Sequence, residues 1–320
     1  MDTKFMCIKF EENVCVNQDT LNHIDERGET VLFKACNYGN LEGVRRLIYL
    51  DLENRKNEEQ NHKLLDPNIP NIFELTPLSV ACLFGYQRIV ELLIAKFENK
   101  LNLNKKDKTG STAFKYACAN KNTELIKSLL GCKRLNLFNM YENDETILHI
   151  LIKNRDIEII KCIVESKKSI DFNATDVEGN SPLILACKTK QVEIVKMLID
   201  IPNVNVNQRH KTGQNILHYL CGELYDQYDP EIFQSIIDCE RLDINAQDYD
   251  GDTALMTACK NESKEAVVLL IKNEMVDTDL SNNAGQTPYD KAIASENKEI
   301  ITLFFENAKM KMQQKKNKIK

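Results

Sequence analysis

Proline and glycine are sparse: the 320 residues include only 7 and 11 of them. No low-complexity stretch is sustained before the last dozen residues, so long disordered linkers are not expected. No apolar run approaches the roughly eighteen residues that a membrane-crossing helix needs. The start, Met1 to Phe10, lacks the apolar core and small-residue cleavage site of a signal peptide. These absences make the chain a soluble, intracellular, cytoplasmic protein by expectation. The motifs of common chemistry are missing as well: there is no G-x-x-x-x-G-K-[ST] loop, no G-x-S-x-G elbow, no kinase signature and no C-x-x-C pair. Phosphate-loop, hydrolase and kinase chemistry are thereby disfavoured, and neither zinc nor any other cofactor is expected.

What is present is a repeat. At 320 residues with 42% hydrophobic residues, the chain has the size of two globular domains or one solenoid. Its template is Asp176 to Asn207, DVEGNSPLILACKTKQVEIVKMLIDIPNVNVN. Asp176 and Gly179 bracket a tight turn, Ser181 is placed to cap a helix, and Pro182 takes the first helical position, where a missing N–H does no harm. Leu183, Leu185 and Ala186 give that helix an apolar side. After a polar break, Ile194, Val195, Leu198 and Ile199 mark a second, amphipathic helix. Neither helix is long enough to stand alone in water.

The capping residue recurs at Thr30, Thr76, Thr112, Thr146, Ser181, Asn215, Thr253 and Thr287, at spacings of 46, 36, 34, 35, 34, 38 and 34. The turn column before it holds Gly28, Glu74, Gly110, Asp144, Gly179, Gly213, Gly251 and Gly285. An apolar pair closes each second helix, from Leu47-Ile48 in the first repeat to Phe304-Phe305 in the eighth. The period and the order turn, helix, helix resemble ankyrin repeats, whose signature is T-P-L-H-x-A. It is present in part as Thr76-Pro77-Leu78-Ser79-Val80-Ala81, Thr146-Ile147-Leu148-His149-Ile150-Leu151 and Thr253-Ala254-Leu255-Met256-Thr257-Ala258, and is complete in none. The resemblance covers about Asn22 to Phe305. It implies an all-α-dominated ankyrin-repeat solenoid of stacked helix-turn-helix units, with β-hairpin-like turns along one edge and the first helices lining a concave face. It also implies protein binding as the usual role.

The expected organisation is an N-terminal cap over residues 1–21, eight repeats over 22–305 and a basic tail over 306–320. The cap reads as a helical half-unit covering the first repeat's end, with Phe5, Met6, Ile8 and Phe10 as its apolar set. Repeat one carries a charged insertion, Asp51 to Lys63, readable as a helix extension or a mobile loop. Repeats four and six place Leu151 and Leu220 where the other six have Ala. The larger side chain should push the neighbouring layer out or tilt it. Repeat six also adds about four residues within Glu223 to Pro230, with Tyr225 and Tyr228 among acids, read as a plain loop. The closing KMKMQQKKNKIK holds six lysines and no acid, so with a total of −6 the body Met1 to Ala308 carries about −12. That balance disfavours nucleic acid as a partner. The tail reads as disordered, with a nuclear-localisation signal or a docking strip as alternatives. The abundance of Asn, Lys and Ile is taken as coding bias.

Repeat two departs from the pattern where it matters. The resemblance puts two turn-tip residues, the residue before the cap and two residues after the first helix on the concave side. In repeat three these are Lys108, Thr109, Ser111, Ala119 and Asn120, and in repeat seven Tyr249, Asp250, Asp252, Lys260 and Asn261. In repeat two they are Ile72, Phe73, Leu75, Leu83 and Phe84, joined by Tyr38 of repeat one. Such a patch marks a binding hot spot, unless the insertion at Asp51 to Lys63 folds over it or the local register differs.

Cysteine offers the one chemical temptation. Six of the 11 cysteines, Cys36, Cys82, Cys118, Cys187, Cys221 and Cys259, share one column after the small residue of the first helix. Packed helices lie about 8–10 Å apart, too far for disulfides between them. Free buried thiols suit a reducing compartment. His149 and His218 fall in the signature's His column and read as structural. The function expected is therefore recognition of a protein partner through the concave face and turn tips by a monomer, with no membrane contact and no catalysis. A regulatory or inhibitory subunit of an enzyme and a cysteine-dependent enzyme are the alternatives.

Overall fold

The structure is a computed structural model and describes residues 6–9, 13–16, 20–56, 64–222 and 229–318. It divides into two compact units, Met1–Asp171 and Phe172–Lys320, each a stack of antiparallel helix pairs. The first unit holds a hairpin of β1 (Met6–Lys9) and β2 (Asn13–Val16), then the pairs α1 (Val31–Asn37) with α2 (Leu41–Lys56), α3 (Pro77–Leu83) with α4 (Gln87–Phe97), α5 (Ala113–Ala119) with α6 (Thr123–Leu130), and α7 (Ile147–Lys153) with α8 (Ile157–Glu165). The second holds α9 (Pro182–Lys188) with α10 (Val192–Asp200), α11 (Ile216–Cys221) with α12 (Pro230–Ile237), α13 (Ala254–Lys260) with α14 (Lys264–Lys272), and α15 (Pro288–Ala294) with α16 (Lys298–Lys318).

The capping column does its work locally. Thr30, Thr76, Thr112, Ser181, Asn215, Thr253 and Thr287 accept the N–H three residues on, as Ser79 N–H to Thr76 Oγ1 at 3.1 Å illustrates. Each cap satisfies one N–H that the helix leaves unpaired. Thr146 instead meets the Nδ1 of His149 at 2.8 Å. The preceding turns close as tight hairpins, with the N–H of Asp25, Asn71, Asp107, Tyr141, Asp176, His210, Asp248 and Asn282 each donating to the carbonyl four residues on.

Asparagine is structural at six of its positions. Eight residues before the cap, Asn22, Asn68, Asn104, Asn173, Asn207 and Asn245 each bond two backbone groups of the following repeat. Asn68 is representative: its Oδ1 accepts from Asn102 N at 2.7 Å and its Nδ2 donates to Lys100 O at 2.9 Å. A primary amide presents an acceptor and donors side by side, so it can pin a loop 32–34 residues away. Asn68→Ala should cost about 1–2 kcal/mol in urea unfolding of the full chain, since two backbone groups lose their partner. An unchanged unfolding midpoint would show that water replaces the amide without loss.

On one side of the helices that carry Leu151 and Leu220 the first helices stand farther apart. Within 8 Å, α1, α3 and α5 approach one another along their lengths, as do α11, α13 and α15. The approach of α5 to α7 and of α9 to α11 is slight by comparison. In each wider gap sits a tyrosine. Tyr141 shares a 3.0 Å hydrogen bond with Thr112 beneath the ammonium of Lys115, and the buried Tyr219 lies under Lys188 and edge-on to His210.

Three segments differ from expectation. The N-terminal segment is a β-hairpin, paired from Met6 with Val16 to Lys9 with Asn13, and not a helical half-unit. Its Val14 and Val16 supply the β-branched residues that favour strands. The tail is not disordered over its described length, because α16 runs on from the last repeat through Lys318. Lys, Met and Gln are all good helix formers and no Gly or Pro interrupts them. The insertion begins as a continuation of α2 to Lys56, anchored where Asp51 takes Arg55 at 2.7 Å and Leu65 N–H at 2.7 Å. Its remainder, 57–63, and the loop 223–228 of repeat six lie outside the described residues.

A candidate protein-interaction surface on repeat two

The hairpin before α3 is held from inside by Asn71, whose Oδ1 accepts Phe73 N–H at 3.0 Å and Leu75 N–H at 3.1 Å. Asp25, Asp107, Asp176, Asp248 and Asn282 brace their own turns in the same way. An Asx side chain folds back on the backbone two and four residues on, which frees the two tip residues to project. At the tip, Ile72 N–H donates to Arg27 O and Lys108 N–H donates to Phe73 O, both at 3.1 Å. The apolar tip is thus stitched between the tips of repeats one and three.

Glu74 stands in the column that six other repeats fill with Gly, and its φ of 62° is left-handed. That conformation costs a residue with a Cβ roughly 1–2 kcal/mol. The carboxylate it gains there bonds Lys105 at 2.5 Å, and this ammonium holds it below the usual carboxylate range. Asp107 is raised by burial, yet the hydroxyls of Thr109 and Tyr116 and the N–H groups of Ser111 and Thr109 outweigh that and lower it. Glu74 and Asp107, on either side of the tip, are therefore both engaged within the protein.

The predicted patch is open to solvent. Phe73 is 59% exposed, Tyr38 55%, Phe84 51% and Ile72 49%, fractions expected of surface residues and not of core. Leu75 and Leu83 are half-buried. The six side chains form two clusters at the two ends of α3. Ile72, Phe73 and Leu75 lie before its N-terminus; Leu83 ends it and Phe84 is its C-cap, as Tyr38 is the C-cap of α1 in the preceding repeat. Seven helical residues separate the clusters by about 10 Å at 1.5 Å per residue. The second cluster is tightly set: the Phe84 and Tyr86 rings lie 5.9 Å apart, and Tyr86 packs so closely on Gly39 that a Cβ there would come within 2.8 Å of its ring. Asn120 of repeat three fixes the same corner through Cys82 O at 2.8 Å.

Among the described residues the candidate reactive groups are buried cysteines and histidines. The six column thiols are buried and burial pushes each of them up, Cys259 to about 12. A thiol so raised stays protonated and is a poor nucleophile. His149 and His218 are buried and serve as partners to their helix caps, His218 also meeting Asp252 O at 3.0 Å. Burial pulls His218 below its usual value. Among the described residues no His, Cys, Asp and Glu gather as metal ligands, and no described helix is long and apolar enough to cross a membrane. The Asn and Asx columns were not recognised from the sequence, although each keeps a constant offset from the cap.

Known proteins share this repeat architecture. A family model described as ankyrin repeats (3 copies) matches residues 52–139, 121–210, 148–248 and 217–316. The B-cell lymphoma 3 protein homolog of Mus musculus is 28% identical over 206 residues, covering 62% of this chain and 42% of that protein. The Homo sapiens B-cell lymphoma 3 protein is 29% identical over 202 residues, covering 62% and 41%. The chain thus matches less than half the length of these relatives. Among solved structures, the ankyrin repeat domain of Bcl-3, described as a unique member of the IkappaB protein family, superposes with a TM-score of 0.50 at 23% identity, covering 87% of this chain and 99% of that one. At that identity the likeness speaks for the fold.

Proposed function

The chain belongs to the ankyrin-repeat family, and from that membership we propose that it binds a protein partner through the concave face and turn tips, with repeat two as the hot spot and no chemistry of its own. One observation carries this reading: the concave positions that hold Lys108, Thr109 and Asn120 in repeat three carry Ile72, Phe73 and Phe84 in repeat two, and these remain about half exposed. Exposed apolar clusters of this kind on a soluble surface mark interaction sites, and aromatic residues dominate interface energetics. Interaction is also the role that stacked repeats serve with their extended surfaces. The acidic body, about −12 before the tail, supports a protein over a nucleic acid as the partner. In this reading the chain works as a cytoplasmic monomer.

The test is affinity capture with mass spectrometry on wild type and on a Phe73→Ser, Phe84→Ser double variant. A protein retained by wild type should lose at least about tenfold in affinity for the variant, the size of one hot-spot residue or more. Equal capture by both, with equal melting temperatures, would remove repeat two from the binding surface.

A further inference from the structure

The apolar tip of repeat two is flanked by cations on both sides. Arg27 accepts the Ile72 N–H through its carbonyl and Lys108 donates its N–H to Phe73 O, so the two cationic side chains leave the backbone directly beside the tip. Both residues are exposed. Lys106 and Lys115 lie farther along in repeat three, where Lys106 donates to Met140 O at 2.6 Å and the two ammonium groups meet the Tyr141 ring at 5.8 and 4.8 Å. The neighbouring acids are largely engaged within the protein. Asp25 pairs with Lys34 at 2.7 Å, Glu74 with Lys105, and Asp107 turns inward to Thr109 and Ser111; Glu26 and Glu29 are the local exceptions. In a body with an excess of about twelve acids, Arg27 and Lys108 thus bracket Phe73, the most exposed phenylalanine among the described residues.

We propose that the partner segment received there is an extended acidic peptide with two apolar anchors. This rests on the reading of repeat two as the binding surface and goes on to specify what binds. One anchor meets Phe84 and Tyr38 beyond the C-terminus of α3, and the other meets Ile72 and Phe73 at the tip. The two clusters lie about 10 Å apart along α3. An extended chain rising about 3.3 Å per residue spans that gap in roughly three residues. Asp or Glu side chains flanking the tip-side anchor face Arg27 and Lys108, the two cations beside the tip. Charge complementarity of this sort sets orientation and selects against basic segments, while the apolar anchors supply most of the affinity.

A display library of random short peptides, panned against the full chain, supplies the probe. Selected sequences should be enriched in Asp and Glu beside pairs of apolar residues three or four apart. A representative peptide should bind the Arg27→Glu, Lys108→Glu variant about tenfold more weakly in fluorescence anisotropy, an effect that shrinks as salt rises. Panning against that variant should shift selection towards basic peptides. If selected peptides carry no acidic excess, or if the charge reversal leaves binding unchanged while Phe73→Ser, Phe84→Ser weakens it, the acidic partner is overturned and the surface stands. If the serine pair leaves binding unchanged, the surface itself is wrong. Both variants alter exposed side chains, and coincident melting curves establish that the fold is intact.

Discussion

Phe233→Ala is expected to destabilise the protein by about 3–5 kcal/mol, whereas Phe84→Ser should stay within about 0.5 kcal/mol of wild type. The two phenylalanines differ in one respect that decides the outcome. Phe233 is 0% exposed within α12, flanked by buried Ile232 and Ile236, on a helix that packs against α10 and α11. Removing its ring leaves a void that close-packed neighbours fill only partly. Phe84 caps the C-terminus of α3 with its ring half in water, so serine there opens no cavity. Urea titrations of both variants, followed by far-UV circular dichroism, make the comparison. A stack of repeats need not unfold in one step, so the Phe233→Ala loss should be read from the transition that it displaces. Comparable losses in the two variants would place Phe84 in the core and remove the basis for assigning it to an interface.

Gly251→Val should cost about 3 kcal/mol or more, combining left-handed backbone strain with a steric collision. At φ 79°, a Cβ on Gly251 would stand 2.7 Å from both the backbone N and the Oδ1 of Asn283. That same N–H donates to Asp250 O at 3.0 Å, and Asn283 Nδ2 donates to Tyr249 O at 2.9 Å. The collision therefore falls on the bonds that join the tips of repeats seven and eight. Gly110→Ala isolates the conformational part. Its φ is 73° but nothing lies within 4 Å of the new Cβ, so its cost should stop near 1 kcal/mol. If the two variants melt together, the contact with Asn283 is soft enough to move aside.

Much of this protein is local, and what is local was legible. Seven of the eight caps act on N–H groups three residues away, the turn glycines answer to their own φ, and the apolar pairs of the second helices follow the period of one helix. These recur at a constant offset, so the comparison of eight copies exposed the register and with it the candidate site. The Asn column kept an equally constant offset and was still missed. Its partners lie about thirty residues ahead, as Asn68 with Asn102 shows, and a polar residue in a loop has no periodic neighbour to betray what it bonds. The segments at the two ends were misread for a related reason. The N-terminal hairpin and the continuation of α16 belong to no repeat, so the comparison that settled the register had nothing to align them with.

By itself, then, the sequence determined the family and the number and register of repeats, because short-range capping, turn and periodicity rules govern them. Only the tertiary structure decided that Ile72, Phe73, Phe84 and Tyr38 remain in water while Leu75 and Leu83 are half-covered. It alone showed that the six residues form two clusters across α3 and that Arg27 and Lys108 bracket the tip. Exposure and juxtaposition are properties of how layers stack, and stacking distances depend on contacts between residues some thirty or more positions apart.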